Sequence, residues 1–75
     1  METLNTEHKG GRIEITRDNG LQVGEVNHDA GAPAPFIARP LFGPLPALGF
    51  VSLEAAQYYC LAAWDEAKAR QPELR

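Results

Sequence analysis

Seventy-five residues carrying seven Lys and Arg against ten Asp and Glu give a net charge of −3 and room for one small domain. A chain of this length buries only about 60% of its extended surface, so its core needs every large apolar group available. A single cysteine excludes a disulfide within the chain, two isolated histidines exclude a four-ligand zinc site, and 44% hydrophobic against 23% charged residues is a globular composition.

Charge and proline divide the chain into three zones. Residues 1–29 hold six acids and three bases, residues 30–53 hold one charge (Arg39) and five of the six prolines, and residues 54–75 hold four acids and three bases. Residues 1–11 are polar, lack periodicity and end in Gly10-Gly11, which predicts a flexible N-terminal tail. From Arg12 to Arg17 apolar and polar residues alternate, Asp18-Asn19-Gly20 is turn chemistry, and Leu21-Gln22-Val23 resumes the alternation, which predicts a hairpin. A two-residue Asn19-Gly20 loop would put Leu21 and Val23 on the face opposite Ile13 and Ile15. A three-residue loop pairs Arg17 with Leu21 and Ile15 with Val23, gathers all four apolar residues on one face, and leaves Gly20 as the left-handed residue. Val26 is then out of phase with Val23, so a bulge is expected at Gly24-Glu25.

Asn27–Gly31 is a second turn region, and Phe36–Arg39 is a third strand bracketed by Pro35 and Pro40. Because proline cannot donate to a ladder, that strand is expected to be short and to lie at a sheet edge. The uncharged segment Pro40–Val51 follows. Ser52 is a good N-cap, Glu54 suits the positive end of a helix dipole, and alanine-rich sequence runs to Pro72. At 100° per residue, Leu53, Ala56, Cys60, Trp64 and Ala67 form one stripe with Leu61 on its flank, a lid for the hairpin's apolar face. Glu66 and Arg70 stand four apart in the favourable order. The expected fold is α+β: a small three-stranded antiparallel sheet packed by one C-terminal helix, β-β-β-α, over residues 12–71, with a C-terminal tail at 72–75.

Catalytic chemistry finds no constellation here, and the chain is expected to be neither an enzyme nor the holder of a cofactor. Cys60 lies on the core stripe, where an apolar setting raises a thiol pKa and removes its reactivity. His28 falls in a turn between Asn27 and Asp29, and His8 in the tail. Asp65 and Glu66 are adjacent on the helix and point about 100° apart. Gly10-Gly11 and Gly43 lack the lysine and hydroxyl residue of a phosphate loop. No apolar run approaches the roughly 20 residues of a membrane span, and Met1–Arg12 lacks the apolar centre of a signal peptide, so a cytoplasmic location without membrane attachment is expected.

Two surfaces stand out as candidate interfaces. The uncharged segment sets Leu41, Phe42, Leu45, Leu48 and Phe50 among prolines and glycines. It serves either as a crossover loop packed on the sheet or as a stiff binding loop presenting Phe42 and Leu45 to a partner. On the helix, Ala55, Ala62 and Ala69 recur every seven residues beside Tyr58 and Tyr59, which suits either an exposed helix former or a close-packed interface such as a homodimer. Nucleic acid is the weaker expectation, because seven bases against ten acids leave no basic stripe. Arg12, Arg17 and Arg39 are the residues that would gather on the sheet's polar face, with Glu14 among them.

The order strand-turn-strand-turn-strand, with Phe36-Ile37-Ala38-Arg39 as the third strand and Gly49-Phe50, Ser52 and Glu54-Ala55 after it, resembles the arm-type DNA-binding domain at the N-terminus of phage tyrosine recombinases. That resemblance covers about residues 12–70 and implies the three-stranded sheet with its helix, and DNA contact through the sheet. The leading expectation is a non-enzymatic interaction module. Such a module would be a small accessory or inhibitor protein of phage or mobile-element type that covers a site on a larger protein. DNA binding through Arg12, Arg17 and Arg39 is the alternative.

Overall fold

The computed structural model describes residues 4–70, and their order is β1 (Asn5–Lys9), β2 (Arg12–Thr16), β3 (Gln22–His28), β4 (Phe36–Pro40), β5 (Leu48–Phe50) and α1 (Leu53–Arg70). The α+β class, the antiparallel sheet and the C-terminal helix are as expected. The sheet has five strands, not three, and they pair in chain order as an antiparallel meander. The expected C-terminal tail at 72–75 lies outside the described residues.

The β2–β3 hairpin closes through the three-residue loop that puts its apolar residues on one face. Arg17 N donates to Leu21 O at 2.8 Å, Gly20 N donates to Arg17 O at 2.9 Å, and Gly20 takes φ 89°. Leu21 N also donates to Asn19 Oδ1 at 3.0 Å, so the asparagine braces the turn it starts. The bulge comes one residue earlier than expected and replaces the expected Ile15–Val23 pair: Thr16 pairs with Gln22 and Ile15 with Gly24, which leaves Val23 as the extra residue. Val23, Gly24 and Val26 are therefore all buried.

Two strands escape the sequence expectation. Residues 5–9, within the expected N-terminal tail, instead form β1, which pairs with β2 from Asn5↔Thr16 to Lys9↔Arg12. Gly10 and Gly11, at φ 54° and 85°, make the left-handed two-residue loop that lets β1 fold back at once. Inside the uncharged segment, Leu48–Phe50 forms β5 against β4. This corrects the edge position expected for the Phe36 strand, which lies between β3 and β5. Its prolines are tolerated because Pro35 precedes the strand and Pro40 ends it. The next amide, Leu41 N, makes the 3.0 Å bond to Val23 O.

One face of the sheet is apolar and carries α1. Ile13, Ile15, Val23, Val26 and Ala38 form one buried cluster with Ala56, Cys60 and Trp64, and Ala63 and Ala67 of the helix are buried as well. The helix begins as its cap predicts, with Ser52 Oγ accepting from Ala55 N at 3.2 Å, and Glu66 accepts from Arg70 at 2.8 Å near its end. Of the expected stripe, Leu53 is only partly buried, and Ala63 joins in its place. The helix packs on β3, β4 and β5. Gly24 lets it come close: a Cβ there would stand 2.8 Å from Cys60 Cβ and 3.0 Å from Arg39 O. Trp64 fills the far end, with Phe42 edge-on at 4.8 Å and the Arg17 guanidinium 5.5 Å above its ring. Its Nε1 has no hydrogen-bond partner among the described residues, a cost of about 1–3 kcal/mol set against the ring's burial.

Candidate functional site

The sheet face turned away from α1 is polar, and its register fixes which charges meet. Glu7, Glu14, Glu25 and Arg39 form one row across four strands, and Lys9, Arg12, Asn27 and Ile37 form the next. Between the rows runs a ladder of ion pairs: Lys9 lies 3.7 Å from Glu7 and 3.6 Å from Glu14, and Arg12 lies 3.5 Å from Glu14 and 3.8 Å from Glu25. Such partly exposed pairs contribute little stability singly, but they do neutralise the face.

The three arginines named for nucleic acid are not brought together. Arg12 is held among Glu14 and Glu25, and Arg39 stands directly across from Glu25. Arg17 turns to the Trp64 ring on the helix side of the fold. A phosphate approaching this face meets as many carboxylates as cations.

The uncharged segment divides its apolar residues between core and surface. Phe42 is half-buried with its ring against Trp64, so it is a packing residue and not the presented side chain that a binding loop requires. Leu45 is likewise half-buried. Tyr59 OH donates to Pro46 O at 2.7 Å while its ring sits 5.2 Å from Phe50, which ties the approach to β5 onto the helix. What stays exposed is Leu41 at 53%, Leu48 at 48% and Val51 at 78%. Val51 is the most exposed of them. It belongs to the uncharged segment by sequence, but only the placement of β5 beside it marks it as surface.

On α1 the alanine row points largely outward: Ala62 and Ala69 are exposed and Ala55 is half-buried. Tyr58 is exposed at 44% on the side opposite the core, whereas Tyr59 is committed to Pro46 and Phe50. The two tyrosines thus serve different faces.

Cys60 is fully buried against Gly24, and burial pushes its thiol up to about 11, the environment of a packing group. His28 is not in a turn: it ends β3 and stacks on Phe36 at 4.7 Å with 22° between the rings. His8 lies in β1, directly across from Ile13. No group of three or more metal-ligating side chains occurs among the described residues, and no helix there is long and apolar enough to cross a membrane.

Comparison with protein-family models, with curated proteins and with solved structures finds no match to this chain.

Proposed function

We propose that this chain is a non-enzymatic protein-interaction module that covers a site on a larger protein, and that the open edge of β5 is its recognition element. The partner supplies an extended, uncharged apolar segment that adds to the sheet as a sixth strand. The observation that carries this reading is the contrast between the two sheet edges. β1 bears Glu7 and Lys9, charges that discourage strand pairing, whereas β5 lies in a stretch without charge from Pro40 to Leu53 and leaves Leu48 and Val51 exposed beside it. Strand addition draws affinity from main-chain hydrogen bonds and selectivity from alternate side chains, here Leu48 and Phe50 on the helix side. Pro44, Pro46 and the Tyr59 bond stiffen the entry to β5, which lowers the ordering cost of binding.

Partner capture with mass-spectrometric identification, followed by amide exchange on the purified complex, tests the reading. The wild type and an Ala69→Lys variant are expected to retain the same protein, Leu48→Lys is expected to lose it, and the amides of Leu48–Phe50 are expected to gain protection. Capture that is undiminished in Leu48→Lys, or protection confined to α1, overturns the β5 assignment. A gel shift at low salt with micromolar protein is expected to give no DNA complex.

A further inference from the structure

The hydrogen-bond phase of the sheet decides what its open edge presents. Asp29 N donates to Pro35 O at 2.7 Å and Leu41 N donates to Val23 O at 3.0 Å, so the residues flanking β4 aim these main-chain groups at β3. Direction alternates along a strand, so Ile37 and Arg39 also aim at β3, and Phe36 and Ala38 aim at β5. Phe36 is across from Phe50 and Ala38 from Leu48, which makes these the pairs that exchange hydrogen bonds. Gly49, across from Ile37, therefore turns its N–H and its C=O outward at the middle of β5, and neither has a hydrogen-bond partner among the described residues. The two faces beside that edge differ. Leu48 and Phe50 share the helix side with Ala38, and the Phe50 ring rests 5.2 Å from Tyr59. Gly49 faces the other way, where a Cβ would stand 2.8 Å from Ala34 O and 3.1 Å from Ala34 Cβ.

We propose that two copies of the chain pair through β5, antiparallel about a twofold axis at Gly49, and that this pairing closes the recognition edge until a partner strand displaces one copy. Gly49 of each copy exchanges both hydrogen bonds with Gly49 of the other, in the closed, isologous form that twofold contacts take. The same axis sets Leu48 across from Phe50 of the second copy on the helix side, an apolar pair made twice. On the other face glycine meets glycine, so no side chain crowds the space that Ala34 borders. The lack of charge singles out a second copy as the occupant. A foreign strand can answer a charge with its opposite, whereas a three-residue strand paired with itself brings any charge within two positions of its own copy. Pro40–Leu53 carries no charge at all. The closing role rests on the reading of β5 as the recognition element; the pairing itself does not.

Sedimentation equilibrium and amide exchange of the full chain, each at about 20 µM and about 1 mM, test the pairing. Association is expected with a dissociation constant at or below about 0.5 mM. By mass action, exchange of the Gly49 amide then slows at least about twofold at the upper concentration, while the Leu48 and Phe50 amides, already bonded to β4, change less. In a dimer of one labelled and one unlabelled copy, NOEs are expected between the Leu48 methyls and the Phe50 ring. Leu48→Lys places two ammonium groups on diagonal neighbours across the axis and is expected to weaken association at least about tenfold. Leu48 is exposed, so the amide dispersion of that variant outside β5 is expected to match the wild type. Ala69→Lys, at an exposed helix position, is expected to associate as the wild type does. A monomer at 1 mM, association undiminished in Leu48→Lys, or intermolecular contacts centred on Ala62 overturns the pairing and leaves the larger-partner reading standing. A dimer that captures no other protein, or a captured complex in which the copies remain paired, overturns the closing role while the pairing holds.

Discussion

Replacing Gly24 by alanine tests how tightly α1 is seated on the sheet. The new methyl carbon would stand 2.8 Å from Cys60 Cβ, nearer still to Cys60 Sγ, and 3.0 Å from Arg39 O. None of these is the free end of a long side chain, so the helix or β4 must shift. Overpacking of this kind costs about 1–3 kcal/mol, and three close atoms put Gly24→Ala at the upper end. A 75-residue domain has roughly 4–11 kcal/mol of stability in all, so the loss is a large share of it. For this chain length it corresponds to a fall of roughly 10–20 °C in melting temperature. Cys60→Ala alone removes a buried sulfur and costs about 1 kcal/mol. In the double variant, the sulfur is gone, so Gly24→Ala is expected to cost at least about 1 kcal/mol less than it does alone. Urea unfolding of the four proteins gives the cycle. A neutral Gly24→Ala, or additivity within about 0.5 kcal/mol, refutes the close seating of Cys60 on Gly24.

Two further outcomes follow from the packing. The Cys60 thiol is raised from 9.0 to about 11, so the folded state keeps its proton where the unfolded chain has lost it. The contribution is intact below pH 9 and is lost as pH rises from 9 to 11, by about 2 kcal/mol. It is read as the difference in urea stability between the wild type and Cys60→Ala across that window, and parallel pH curves count against it. Phe42→Ala is expected to cost about 2 kcal/mol and to shift Trp64 emission to the red, because the indole loses its edge-on neighbour. If Phe42 served only as a presented binding residue, stability and emission would both stay put.

The elements legible in the sequence are those where one face is buried and the other is wet. Ile13, Ile15 and Val23 with a turn glycine at 20 forced the loop length, and Ser52 with the period of Ala56, Cys60 and Trp64 forced the helix. β1 carried no such signal. All five of its residues are exposed, so Asn5–Lys9 has no apolar alternation to detect, and only Gly10-Gly11 hinted at a turn. β5 was hidden by its length of three residues and by the prolines before it, which read as loop chemistry. The bulge falls one residue before the position that glycine chemistry suggests, because Gly24 is not the irregularity but the position that must face Cys60. At the candidate surfaces, the apolar character of Leu48 marks it in the sequence, but the split between half-buried Phe42 and exposed Val51 depends on where α1 ends its coverage. That is a tertiary fact with no local signature.

Strand order that follows chain order also sets how the molecule comes together in time. No connection between strands exceeds seven residues, so each hairpin closes a short loop at small entropic cost. The sheet can therefore grow one neighbour at a time. The joining of distant chain falls to α1, whose Cys60 must find Gly24 across the intervening two strands. The helix is thus the slow and topologically distant partner, and its docking converts a row of hairpins into a cooperative unit. Contacts made at that late step govern how long the folded state persists more than how fast it is reached.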